Sequence, residues 1–309
     1  MKKPIIIDCD PGLDDAIALF MAFANENFEI KAITPAAGNQ TLDKTAVNAL
    51  KLVDFVGCGI PVARGASRPL FVEQKTAEHV HGESGLGDIV LPEPNRDFST
   101  FDAYDTIYNE AVKHSKELVI VALGPLTNIA LSILKHPDLK DHVANIILMG
   151  GSCGCGNDTP AAEFNIYADP DAARIVFESG ITVTMVGLDV THKSQVLPEE
   201  IKEIAAYKNK VSDIAAKVLE NSLRFCRQHG FEGAVMHDPL AMAYAINSEV
   251  MTCKEYHVDV ETKGEFTSGK TVVDIYNVTG KKPNAYVGVD IDREKFIAIL
   301  KKAMMSYGA

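Results

Sequence analysis

Strand-like and helix-like segments alternate from Pro4 to Leu188, and no other feature constrains the fold so tightly. Pro4–Cys9 reads as a buried strand, Asp14–Asn25 as an apolar helix, Phe28–Pro35 as a strand, Leu42–Val56 as a helix and Ile60–Ala63 as a short strand. Residues 64–100 are irregular, rich in Gly, Pro, His and Glu, and long enough to indicate a functional loop. Helix Phe101–His114, strand Glu117–Leu123, helix Leu126–His136 and strand Ala144–Met149 follow. After a Gly-rich loop over Gly150–Asn165 come helix Pro170–Ser179 and strand Ile181–Leu188. Such alternation predicts an α/β fold with an open, mostly parallel sheet and helices on both faces. Residues 197–229 read as helical. Tyr256–Glu261, Thr271–Val278 and Asn284–Asp290 read as an antiparallel addition before a closing helix, Arg293–Met304. No Pro/Ser-rich linker or repeat interrupts the chain, so residues 1–309 read as one domain.

Composition narrows the function. The 30 basic and 42 acidic residues give a formal charge of −12, which argues against nucleic acid as a partner. It leaves room for a small neutral ligand. The longest unbroken apolar run, Ala16–Ala24, is too short to cross a bilayer, so no membrane association is expected. Met1-Lys2-Lys3-Pro4 leads straight into the first strand and does not read as a secretory leader. Six cysteines lie scattered without a framework, which suits reduced thiols in the cytoplasm.

Gly264-Glu265-Phe266-Thr267-Ser268-Gly269-Lys270-Thr271 fits a phosphate-loop pattern. That chemistry requires a helix directly afterwards, and Val272-Val273-Asp274-Ile275-Tyr276 favours a strand, so a hairpin loop is expected. Cys153-Gly154-Cys155 has no second pair at metal-ligand spacing and reads as part of the Gly-rich loop.

Asp8-Cys9-Asp10-Pro11-Gly12-Leu13-Asp14-Asp15 sets four carboxylates at the carboxyl end of the first strand, the edge where open α/β sheets bind ligands. Capping accounts for Asp14 and Asp15 at a helix start. Asp8 and Asp10 need a cation or hydrogen-bond donors between them, and hard divalent ions take such oxygen clusters. A strand ending in Asp-x-Asp also opens haloacid-dehalogenase-type phosphatases, but these carry Thr or Val where this chain has Gly12.

The segment resembles much more closely the fingerprint of the inosine–uridine nucleoside hydrolases. Further blocks follow in family order: Gly38-Asn39-Gln40-Thr41, His81-Gly82-Glu83-Ser84-Gly85-Leu86-Gly87, Leu123-Gly124-Pro125-Leu126-Thr127-Asn128 and Met149-Gly150-Gly151. Then come Glu163-Phe164-Asn165 with Asp169-Pro170, Val186-Gly187-Leu188-Asp189-Val190-Thr191-His192, and His237-Asp238-Pro239. The resemblance implies a Rossmann-like nucleoside hydrolase fold, one calcium ion per chain, and hydrolysis of the N-glycosidic bond of ribonucleosides to ribose and free base. It implies Asp10, Asp15, Asp238 and the backbone carbonyl of Leu123 as calcium ligands. Asp10 would also be the general base that deprotonates a metal-activated water. Asp14, Asn157, Glu163 and Asn165 would bind the ribose, Met149 would line its pocket and Phe164 would also contact substrate. Asn39 would lie near the metal and the attacking water, and His81 and His237 would face the base and assist its departure. Phe225 stands where some purine-capable members carry Tyr; Phe stacks but donates no proton, so the expectation leans to pyrimidine or broad specificity. The family also implies a homo-oligomer, tetramer or dimer, working in nucleoside catabolism and salvage. A non-catalytic nucleoside- or ribose-binding protein is the alternative from another class. Binding alone does not require Asp10 as a base.

Overall fold

A computed structural model describes residues 2–308. In chain order its elements are β1 (Lys3–Cys9), α1 (Leu13–Phe23), β2 (Phe28–Pro35), α2 (Leu42–Val56), α3 (Glu78–His81), α4 (Ala103–Lys113), β3 (Leu118–Ala122) and α5 (Thr127–Lys135). Then follow β4 (Val143–Met149), α6 (Phe164–Ala168), α7 (Pro170–Glu178), β5 (Val183–Val186), α8 (Leu188–Thr191), β6 (Gln195–Val196), α9 (Pro198–Ala205) and α10 (Lys210–Gln228). The chain closes with β7 (Ala234–Val235), α11 (His237–Ile246), β8 (Met251–Tyr256), β9 (Val258–Val260), β10 (Thr271–Val273), β11 (Ala285–Ile291) and α12 (Arg293–Ser306).

Seven strands form one sheet in the order β2-β1-β3-β4-β5-β11-β8. Every neighbouring pair is parallel except β11 with β8, as the alternation and the C-terminal change of character require. In β1 the unbroken apolar run is explained by cover on both faces. Ile5 and Ile7 join one hydrophobic layer with Ile17, Phe20, Leu52 and Phe296, and Ile6 joins the opposite layer with Ile107, Ile120, Ile129 and Ile146. Each such side chain stabilises the fold by about 1.5–3 kcal/mol.

Three segments differ from the sequence reading. The 197–229 helix is two helices, because Asn209 takes the N-cap of α10: its side chain accepts from the Val211 and Ser212 amides while the Ser212 hydroxyl accepts from the Asn209 amide. β8 lies upstream of the expected strand at Tyr256–Glu261, on an edge whose exposed Thr252, Lys254 and Glu255 hide the apolar signal. β10 stops at Val273, because Asp274 accepts from the amides of Val278 and Thr279 and turns the chain. Ile60–Ala63 contributes a single parallel bridge, Val62 to Ile33. The phosphate-loop look-alike is the loop between the antiparallel pair β9 and β10, with no helix after it. Among the described residues no helix is long and apolar enough to cross a membrane.

Candidate active site

Strand order reverses at β1: the chain goes outward to β2 on one side and to β3 on the other. The crevice beyond the carboxyl ends of β1 and β3 is therefore the ligand position of an open α/β sheet. A cavity of about 460 Å³ opens there.

Asp10 leaves the end of β1 fully buried. Its Oδ2 accepts from the Asn39 amide at 2.6 Å, whereas Oδ1 is buried with no protein partner. The carboxylate lies so close to Gly38 and Gly124 that a Cβ at either position would strike it, which accounts for both motif glycines. Asp15, in the first turn of α1, accepts from the amides of Asp10 (3.2 Å) and Gly12 (2.9 Å) and from the Asn39 side chain (3.1 Å). Carboxylate oxygens of Asp14, Asp15 and Asp238 come within 4.8 Å of one another. Burial, with the neighbouring Asp15, pushes Asp10 well above the usual carboxylate range; burial with Asp14, Asp15 and Asp10 likewise pushes Asp238 well above it; and burial with Asp14 pushes Asp15 up to about 7.

The crowding and the orphaned Asp10 oxygen fit a hard divalent cation, which takes carboxylate and carbonyl oxygens. The Leu123 carbonyl, at the end of β3, already accepts from the Asn165 side chain at 2.8 Å and keeps a second lone pair. Asp8 does not join the cluster. Its Oδ2 accepts from the Thr34 hydroxyl at 2.6 Å and the Asn128 side chain at 2.9 Å, while its Oδ1 is buried with no partner among the described residues.

The other expected residues line the cavity. Glu163 caps α6 and accepts from the amides of Gly151 (3.0 Å) and Ile166 (3.2 Å), and burial pushes its carboxyl up to about 7. Asn165 also donates to the Met149 carbonyl at 3.1 Å, and Asn157 accepts from the Phe164 amide at 3.0 Å. Asp14, Asn39, Met149, Asn157, Glu163, Phe164 and Asn165 thus line the cavity together with Leu123 and Asp238. His81, Phe225 and His237 line the same cavity. Asp10 and Asp15 are fully buried and absent from the lining.

Lys270 and Thr271, the tail of the look-alike motif, hold the loop after β4: Thr271 exchanges hydrogen bonds with Ser152 at 2.8 and 2.9 Å, and Lys270 donates to the carbonyls of Ser152 and Gly154. Cys153 lies in that loop, its amide bonded to Asp189.

The cavity also has walls that motif reading did not find. Ser222 and Cys226 join the expected Phe225 on α10, and His229 at its C-cap follows at the same helical spacing i, i+3, i+4, i+7, a periodic signal masked by the mix of residue types. Phe225 lies against His229 with ring centroids 4.4 Å apart. His192, half-buried, meets Phe231 at 5.1 Å and His237 at 5.9 Å. His79 is exposed and also lines the cavity.

The description inosine-uridine preferring nucleoside hydrolase matches residues 5–298. The pyrimidine-specific ribonucleoside hydrolase RihA of Salmonella arizonae is 47% identical over the full length of both chains. Among solved structures, a plant nucleoside hydrolase, PpNRh1, superposes with a TM-score of 0.94 at 32% identity, covering 99% of each chain. A purine-preferring ribonucleoside hydrolase from Gardnerella vaginalis gives 0.93 at 31% identity, again over 99% of each. The chain belongs to the inosine-uridine preferring nucleoside hydrolase family and is a ribonucleoside hydrolase.

Proposed function

We propose that the protein cleaves the N-glycosidic bond of pyrimidine ribonucleosides, releasing ribose and free uracil or cytosine, as a calcium-dependent cytoplasmic enzyme acting through one domain over residues 1–309 and assembled as a homo-oligomer. The observation that carries this reading is that one cavity is lined both by a set of carboxylates and amides and by a set of histidines and aromatics. The first suits a polyol, which needs many oriented hydrogen bonds. The second suits a flat heterocycle with edge acceptors. The pyrimidine preference is supported by the description of relatives 47% identical to this chain, and by Phe225, which offers no hydroxyl to a departing purine.

Asp10, Asp15, Asp238 and the Leu123 carbonyl would hold calcium, which supplies Lewis acidity toward the attacking water and a counter-charge to the carboxylates. Asp10 takes the proton from that water. Asp14, Asn39, Asn157, Glu163 and Asn165 bind the ribose hydroxyls, and Met149 and Phe164 close over the sugar. The negative wall stabilises the oxocarbenium-like sugar as the bond to the base breaks. His81 and His237 donate to the leaving base. Six free cysteines support a reducing compartment.

Incubation with uridine, cytidine, inosine, adenosine and a phosphomonoester tests the reading. Free base and ribose are expected from uridine and cytidine fastest, and phosphate from none. Phosphate release without free base would overturn it, and tight nucleoside binding without turnover would favour a binding protein.

A further inference from the structure

His237 opens α11 with its ring in the cavity wall, and its Nδ1 lies 2.8 Å from the Thr191 hydroxyl at the end of α8. Thr191 is fully buried, and this nitrogen is the only hydrogen-bond partner of its hydroxyl among the described residues. A buried hydroxyl with one partner places its proton by donating; accepting instead would leave that proton stranded away from water. Nδ1 is then the acceptor, and the neutral ring carries its proton on Nε2. Nε2 has no hydrogen-bond partner among the described residues, and His237 lines the cavity.

His81 reaches the same state by a separate route. The Leu13 amide donates to its Nδ1 at 3.0 Å, and an amide nitrogen can only donate. Two imidazoles from distant parts of the chain therefore line one cavity with Nδ1 occupied and Nε2–H free.

We propose that Thr191 is a positioning residue whose hydroxyl fixes His237 as the Nε2–H tautomer, so that the departing base meets two neutral N–H donors at once. The proposal rests on the nucleoside hydrolase reading of the cavity. As the bond from C1′ to the base nitrogen breaks, its electron pair stays on the base, and the two N–H groups bond to acceptor atoms on the base edge. The water oxygen bonds to C1′ and its proton passes to Asp10; the base anion then takes a proton from solvent, and neither imidazole changes its charge. A pyrimidine presents the 2-oxo group beside the glycosidic nitrogen as such an acceptor.

Nitrogen-15 NMR of the histidine-labelled, calcium-loaded wild-type protein, with His237 assigned by His237→Gln, reads the tautomer without perturbing Thr191. An Nε2–H ring supports the proposal and an Nδ1–H ring overturns it. Thr191→Val is expected to lower kcat for uridine by about 10- to 100-fold with KM changed less than about threefold. With 4-nitrophenyl riboside, whose leaving group departs without a donor, the same variant should stay within about threefold of wild type. Thr191→Ser should restore uridine turnover. Unchanged uridine turnover in Thr191→Val, or an equal fall with both substrates, overturns the proposal. If the wild type releases base from no nucleoside, the hydrolase reading fails, while the tautomer measurement still decides the role of Thr191.

Discussion

Asp10 has one oxygen held at 2.6 Å by a backbone amide and one buried without a partner among the described residues; Asp8 shares the second property, but only Asp10 is pressed between Gly38 and Gly124. Asp10→Ala should reduce kcat by about 10²–10⁴-fold while equilibrium nucleoside binding persists. Near-normal kcat in that variant would remove Asp10 from the chemistry. Glu163 makes a different prediction. Burial raises its carboxyl from 4.5 to about 7 in the folded protein, so between those values the folded state holds a proton that the unfolded state has lost. Its contribution to stability is thus complete below about pH 4.5 and is lost as pH rises through about 7. Glu163→Gln keeps an acceptor for the Gly151 and Ile166 amides but not the proton, and its melting temperature should fall less steeply from pH 4.5 to 7 than that of wild type. Parallel curves would exclude Glu163 as the titrating group. Both residues were legible because each sits in a short motif at a strand end or helix cap. Ser222, Cys226 and His229 were not, since a cavity wall built from one helix face carries no motif.

At the scale of elements, the buried strands were readable and the edges were not. β1 and β3 declare themselves by continuous apolar runs, because cover on both faces leaves no polar positions. β8 borders solvent, so half of its positions are free to be polar. The break between α9 and α10 was present in the sequence as Asn209 and Ser212, but the helical periodicity on either side outweighed it. Asn209 also donates to the Met304 carbonyl at 2.9 Å, tying α10 to α12. Asn209→Ala should therefore lower unfolding stability by about 1–2 kcal/mol in urea titration. It should leave KM for uridine unchanged, because Asn209 is remote from the cavity lining. A raised KM would show that the cap also sets the position of Phe225.

For the whole molecule, the charge of −12 resolves into a solvated surface and a concentrated site. Asp10, Asp14, Asp15 and Asp238 meet at one sheet edge, where burial and neighbouring carboxylates disfavour the ionised forms of Asp10, Asp15 and Asp238. A chelator should accordingly lower the melting temperature, and calcium at a hundredfold excess over its dissociation constant should restore about 2.7 kcal/mol. Asp238→Ala should abolish that calcium-dependent shift; an undiminished shift would place the ion elsewhere. The grip of Gly38 and Gly124 on Asp10 has a mechanical side. Those glycines follow β2 and β3, the two neighbours of β1, so the carboxylate sits in a vice whose jaws belong to separate strands. Any slip of β1 along either neighbour would carry the Asp10 carboxylate out of that grip. Turnover then works as a gauge of strand alignment, and on slow heating it should fade at a lower temperature than the one at which the sheet melts.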